Sequence, residues 1–119
     1  MSEQAIKKIL ITGANGFIGG SLMRYYQNQG QDVVGVDLVG NVDDIVEGDI
    51  SQPDTISQQL QECDVIIHTA ALVSNAMQDS DMWRVNVLAT RNLIQAAKEH
   101  KVRRFVQISS VVAYGNTAE

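Results

Sequence analysis

The stretch Ile9-Leu10-Ile11-Thr12-Gly13-Ala14-Asn15-Gly16-Phe17-Ile18-Gly19-Gly20 constrains this chain more than any other. An apolar run stops in a glycine-rich turn, and an amphipathic run begins inside that turn. This is the order of a strand, a tight loop and a helix. Three glycines at a spacing of three meet three different needs. Gly13, without a Cβ, can take φ > 0 at the turn off the strand. Gly16 lets the backbone come close to a pyrophosphate at the positive end of the helix. Gly19 lets that helix pack closely on a sheet. The spacing is G-x-x-G-x-x-G rather than the commoner G-x-G-x-x-G, so a reading of the turn needs support from the rest of the chain.

That support begins with the alternation of elements. The sequence predicts a buried strand over 5–11, with Ile6, Ile9, Leu10 and Ile11 inward, then a helix over about 16–29 stopped by Gly30. Ile18, Leu22 and Tyr25 or Tyr26 recur on that helix at helical spacing. Val33-Val34-Gly35-Val36-Asp37 reads as a second strand, and Ile45-Val46 as a short third one. Ser51-Gln52-Pro53-Asp54 opens a helix that ends near Glu62, with Pro53 near its first position. Val65-Ile66-Ile67-His68 is a continuous apolar strand of the kind a covered parallel sheet needs. Thr69-Ala70-Ala71 reads as a small-residue loop. A long helix over 81–99 carries Trp83, Val87, Thr90, Ile94 and Ala97 on one side, and Arg104-Phe105-Val106-Gln107-Ile108 is a fifth strand. Strands alternating with helices over the whole length predict an α/β doubly wound parallel sheet. The right-handed crossover rule makes the expected order 3-2-1-4-5.

At 119 residues the chain is expected to form one domain with a real core. Its formal charge of −5 gives no electrostatic footprint for nucleic acid or an anionic membrane surface. The single cysteine, Cys63, allows no internal disulfide, which fits a reducing, cytoplasmic compartment. No apolar run approaches the roughly 18 residues of a membrane span, and no signal peptide is expected from the polar start Met1-Ser2-Glu3-Gln4.

Several residues could carry chemistry. Asp37 ends the second strand about twenty residues beyond the turn, where a carboxylate would bind both hydroxyls of an adenosine ribose. The plainer alternative is an acidic strand end. A 2′-phosphate would meet like charge there, so NAD is favoured over NADP. Asp49, in Gly48-Asp49-Ile50, is either an acceptor for an adenine amino group or an ordinary loop carboxylate. His68 is read first as a packed, hydrogen-bonded histidine and second as a catalyst. Asn86 is a polar residue on an apolar helix, either structural or the anchor of a hydrogen-bond network. Ser109 and Ser110 follow the fifth strand at the carboxyl edge, where open α/β sheets bind ligands.

Taken together, these pieces resemble the extended short-chain dehydrogenase/reductase family, and more narrowly its NAD-dependent epimerase/dehydratase and 3-beta-hydroxysteroid dehydrogenase-like members. The matching segments are Thr12–Gly19, Asp37, Gly48-Asp49-Ile50, His68-Thr69-Ala70-Ala71, Trp83-Arg84-Val85-Asn86-Val87, and Ile108-Ser109-Ser110-Val111-Val112-Ala113-Tyr114-Gly115. The resemblance implies a Rossmann fold over 1–119, incomplete at its C-terminal side. It implies that Gly13, Asn15, Gly16, Phe17, Ile18 and Gly19 form the pyrophosphate turn. Asp37 would hold the ribose, and Asp49 with Ile50 would flank the adenine. Ala70 and Ala71 would lie along the nicotinamide half. Ser110 would polarise the reacting hydroxyl or carbonyl, supported by Ser109 and by Asn86. Ala89-Thr90 stands where the family usually has Gly-Thr, a departure read as packing.

The family's base is a tyrosine in a Tyr-x-x-x-Lys pair, and no tyrosine here has a lysine four residues on; Ala118 stands four after Tyr114. The resemblance therefore implies the NAD-binding, N-terminal portion of a longer oxidoreductase, inactive by itself. Its substrate would be a secondary alcohol of a nucleotide sugar or a hydroxysteroid-like molecule. Val111-Val112 lacks the Asp-Glu pair of sugar 4,6-dehydratases, which disfavours dehydration. A homodimer is expected through the helix at 81–99. The rivals are a stand-alone module that senses dinucleotide without catalysis, and a folded remnant that binds nothing.

Overall fold

The computed structural model describes residues 5–40, 44–69 and 80–108, with 80–85 described by backbone alone. Five strands, β1 (Ile9–Thr12), β2 (Val33–Asp37), β3 (Ile45–Glu47), β4 (Val65–Thr69) and β5 (Arg104–Ile108), alternate with helices α1 (Phe17–Asn28), α2 (Ser57–Glu62) and α3 (Ser80–Glu99). A 3-10 turn over Pro53–Ile56, with Pro53 at its start, runs directly into α2. All strands are parallel, in the order β3-β2-β1-β4-β5. Both the class and the order are those the sequence predicts.

Pleat alternation divides the core between the two faces of the sheet. Leu10, Val36 and Ile66 point to one face, where Ile56, Leu60, Leu93, Ala96 and Ala97 cover them from the 3-10 turn, α2 and α3. Ile9, Ile11, Val65 and Ile67 point to the other, where α1 contributes Met23. The two edges of the sheet differ from its centre. β4 is buried along its whole length, whereas β5 pairs only with β4 among the described residues and exposes Arg104, Val106 and Gln107.

Three expectations need correction. β1 starts at Ile9 rather than residue 5, and Ile6 is exposed. Ile9 is already level with the first residues of both neighbouring strands, Val33 and Val65, so no strand pairs with the chain before it. The lead-in segment is held instead by Lys7 N donating to Asp64 Oδ2 at 2.5 Å and Asp64 N donating to the Lys8 carbonyl at 2.9 Å. On α1 the buried residues are Gly19 and Met23, flanked by half-buried Leu22 and Tyr26, while Ile18 is exposed. The inward face is thus centred on the glycine that comes closest to the turn. Among the described side chains of α3, Ala89, Leu93, Ala96 and Ala97 are buried, and Val87 and Ile94 lie outside with Leu88. That helix carries two apolar stripes, and the one with small residues packs on the sheet.

Helix α1 ends as the sequence predicts. Gln31 N donates to the Tyr26 carbonyl at 3.0 Å and Gly30 N to the Gln27 carbonyl at 3.1 Å, with Gly30 at φ +77°. This is a Schellman stop. A Cβ on Gly30 would meet nothing within 4 Å, so its requirement is purely conformational. Gly30→Ala is expected to cost about 1 kcal/mol in chemical denaturation without changing the m value.

Candidate functional site

The turn between β1 and α1 sits at the carboxyl edge of the sheet, between β2 and β4. Its three glycines are glycine for different reasons. Gly13 has φ +68°, and a Cβ there would fall on the carbonyl and hydroxyl oxygens of Thr69. A Cβ on Gly19 would fall on the Gly13 carbonyl. Gly16 differs from both. It has φ −79° and ψ 176°, ordinary extended backbone, and among the described residues a Cβ would meet only the Gly13 carbonyl oxygen, at 3.3 Å. It is exposed and caps α1 with no side-chain hydrogen bond. Phe17 beside it is exposed too. The first-turn N–H groups of a helix have no partner within it, and here, among the described residues, no side chain caps them.

From the β2 side, Asp37 reaches this turn. Its Oδ2 accepts from Asn15 N at 2.8 Å and its Oδ1 from Leu38 N at 2.7 Å. Asn15 Nδ2 donates to the Val39 carbonyl at 2.7 Å, and Ala14 N to the Val36 carbonyl at 3.2 Å. Gly35 lets Ala14 sit over β2, since a Cβ there would stand 2.5 Å from the Ala14 Cβ. Gly48 N donates to the Asp37 carbonyl at 2.9 Å, which sets Gly48-Asp49-Ile50 beside the end of β2. Asp49 itself organises a local turn: its Oδ1 accepts from Ser51 N at 3.0 Å and Ser51 Oγ at 2.7 Å. Ile50 is half-buried against the core. Leu38 and Val39, 65% and 56% exposed, add an apolar surface next to Asp37 that the sequence reading did not single out.

His68 is 2% exposed and bonded at both ring nitrogens. Nδ1 lies 2.6 Å from Thr12 Oγ1 and Nε2 lies 3.0 Å from Thr90 Oγ1. A neutral imidazole offers one donor and one acceptor, and threonine hydroxyls can complement either. Burial lowers its pKa to about 4, so the ring is neutral at physiological pH. This supports the packed, hydrogen-bonded reading. Thr90, read as packing, is its partner on α3. Asn86 lies one turn earlier on the same face of that helix, half-buried.

The sequence predicts a loop at Thr69, but this residue closes β4 as a buried strand residue. Its Oγ1 donates to the Thr12 carbonyl at 2.8 Å, with the Gly13 carbonyl 3.4 Å away. The hydrogen-bonding roles of Thr12, Thr69 and Thr90 are not read from the sequence; a polar residue closing a buried apolar strand signals the first two, and nothing local signals Thr90 on α3.

Ala70, Ala71, Ser109, Ser110 and Tyr114 lie outside the described residues. Cys63 is buried, and burial, reinforced by Asp64, pushes its thiol up to about 11, so it is no thiolate nucleophile. An open groove between the 3-10 turn and α3, lined in part by Pro53, Asp54, Asn92 and His100, includes none of the predicted site residues. No helix among the described residues is long and apolar enough to cross a membrane.

A parallel sheet of this order, with a glycine turn joining its first strand to its first helix, defines a Rossmann-class domain. Residues 9–119 match the NAD dependent epimerase/dehydratase family, and the chain belongs to it. Among curated relatives, 3 beta-hydroxysteroid dehydrogenase/Delta 5-->4-isomerase of Mycobacterium tuberculosis is 30% identical over 116 residues, covering 87% of this chain and 31% of that protein. Among solved structures, a short-chain dehydrogenase/reductase superfamily protein from Agrobacterium tumefaciens with bound NAD is 36% identical with a TM-score of 0.76, over 87% of this chain and 33% of that one. MoeE5 in complex with UDP-glucuronic acid and NAD is 33% identical with a TM-score of 0.76, over 90% of this chain and 38% of that one. The chain spans 31 to 40% of the length of the first curated relatives it matches.

Proposed function

We propose that this chain forms the NAD-binding part of an epimerase- or dehydrogenase-type oxidoreductase acting on a secondary alcohol of a nucleotide sugar or similar substrate. The observation that carries the reading is Gly16. The fold itself demands glycine at 13 and 19, by φ and by backbone contact, yet asks little of position 16. The missing side chain there leaves room for something other than protein, at an uncapped helix start suited to anionic oxygens.

On this reading the N–H groups at Gly16, Phe17 and Ile18 bind the pyrophosphate, with Asn15 held against Asp37. The Asp37 carboxylate takes the adenosine ribose, since each oxygen has a lone pair to spare beyond its backbone bond. Ile50, Asp49 and the exposed Leu38 supply the adenine end. Ala70 and Ala71 run along the nicotinamide half. NAD would supply hydride acceptance from the alcohol carbon. Ser110 would orient and polarise the substrate oxygen, with Ser109 and Asn86 supporting it. These 119 residues hold no Tyr-x-x-x-Lys, so they are expected to bind without turnover.

NADH titrated into the chain while following Trp83 fluorescence is expected to saturate. NADPH should bind about tenfold more weakly or worse, because its 2′-phosphate meets Asp37. Equal affinities would remove Asp37 from the site. No saturation up to millimolar NADH would favour a folded remnant that binds nothing.

The exposed stripe of Val87, Leu88 and Ile94 on α3 supports pairing of two copies through that helix. Sedimentation at tens of micromolar is expected to give a dimer or larger species, and a monodisperse monomer would contradict this.

A further inference from the structure

The glycine turn is held from both neighbouring strands. On the β2 side the hold is the Val36 carbonyl and the Asp37 carboxylate, accepting from Ala14 N and Asn15 N. On the β4 side, among the described residues, the Thr69 side chain holds the backbone of the turn. Thr69 is 8% exposed, and its hydroxyl donates to the Thr12 carbonyl at 2.8 Å, with the Gly13 carbonyl oxygen at 3.4 Å. Pleat alternation makes Thr69 the residue able to do this. Even-numbered β4 side chains point toward α3, as His68 does, and odd-numbered ones toward α1 and the turn. Thr69 and Gly13 are also fitted sterically, since any Cβ on Gly13 would occupy the place of the Thr69 oxygens. The Gly13 carbonyl in turn accepts from Gly16 N at 3.0 Å, one residue before the first free N–H groups of α1.

We propose that Thr69 is a positioning residue for an anionic phosphate group at the start of α1. Its hydroxyl fixes the peptide units of Thr12 and Gly13. Through the Gly13–Gly16 hydrogen bond it fixes the direction in which the Phe17 and Ile18 N–H groups point. This rests on reading the turn as the pyrophosphate end of a dinucleotide site, and assigns to that site a residue that would not itself touch the ligand. Preorganised N–H donors bind an anion without reorganising, which is why a misdirected turn costs affinity as well as stability.

The test compares Thr69→Val, which keeps the branched shape and removes the donor, with Thr69→Ser, which keeps the hydroxyl. NADH affinity is measured calorimetrically at a temperature where circular dichroism reports each variant folded. Thr69→Val is expected to bind NADH about tenfold more weakly than the parent and Thr69→Ser within about threefold. Thr69→Ala replaces the valine variant if that one does not fold. Unchanged NADH affinity in the folded hydroxyl-free variant overturns the proposal, whatever its melting temperature. So does an equal loss in Thr69→Ser. Absence of saturable NADH binding by the parent chain overturns the reading of the turn itself, an outcome read from the parent titration alone.

Discussion

Gly19→Ala is expected to destabilise the domain by about 3 kcal/mol or more, while Gly16→Ala costs at most about 1 kcal/mol and weakens NADH binding at least about tenfold. The contrast follows from what each Cβ would touch. At Gly19 it falls on the Gly13 carbonyl, and both groups are backbone, so neither can rotate away. Either α1 lifts from the sheet, uncovering Met23 and its neighbours, or the turn deforms. Gly13→Ala belongs with Gly19→Ala, because strain at φ +68° adds to contact with Thr69. At Gly16 the backbone is already in a region open to alanine, and the neighbouring oxygen at 3.3 Å needs to move by only a few tenths of an ångström. What remains is the poorer N-cap propensity of alanine and a methyl group placed where the phosphate should lie. Thermal melts and NADH titrations of the three variants separate these effects. A Gly16→Ala variant that melts far below the parent would show that glycine there serves the fold.

The second large effect concerns His68. Its folded-state pKa, about 4, lies below the ordinary 6.5 because burial disfavours the charged ring. The sign follows from proton counting. Between those two values the unfolded chain binds the proton and the folded one does not, so stability falls as the pH drops. The contribution is complete above pH 6.5 and is lost by about 1.4 kcal/mol per pH unit on the way to pH 4, about 3 kcal/mol in all. Below that the folded ring protonates as well and the loss levels off. His68→Gln removes this slope, so in urea denaturation between pH 7 and pH 4 the parent should lose about 3 kcal/mol relative to the variant. Parallel curves would mean that the ring titrates normally and is not sealed between Thr12 and Thr90. At neutral pH, His68→Ala is expected to cost about 3 kcal/mol, from the cavity and from the two hydroxyls left without a partner.

How much of this was legible in the sequence depended on the range of the interaction. Val65-Ile66-Ile67 could be read as a doubly covered strand because every residue is apolar, and the Gly30 stop because its signal is local. The sheet order followed from connection rules and needed no side-chain detail. Helix faces were harder. α3 bears two apolar stripes, and periodicity cannot say which one meets the sheet; the close approach of Ala89, Ala96 and Ala97 decides it. Ile6 extends the predicted first strand because it is apolar, yet no strand pairs with the chain there. Within the candidate site, the separate demands of Gly13 and Gly19 were readable from spacing. The hydrogen bond from Thr69 to the Thr12 carbonyl spans 57 residues and leaves no local trace. Likewise, Asp37 could be recognised by its distance from the turn, but not its bond to Asn15 N, which ties the proposed ribose-binding and pyrophosphate-binding positions together.

On the proposed reading a dinucleotide lies across the carboxyl edge of the sheet, from Asp37 over the start of α1. Backbone amide shifts of the isotopically labelled 119-residue chain, recorded as NADH is added, test it directly. The largest changes are expected at Gly13, Gly16, Phe17, Ile18 and Leu38, all fitting a single dissociation constant. Shifts confined to the groove around Asp54, Asn92 and His100, or none at these five amides at saturating NADH, would contradict it.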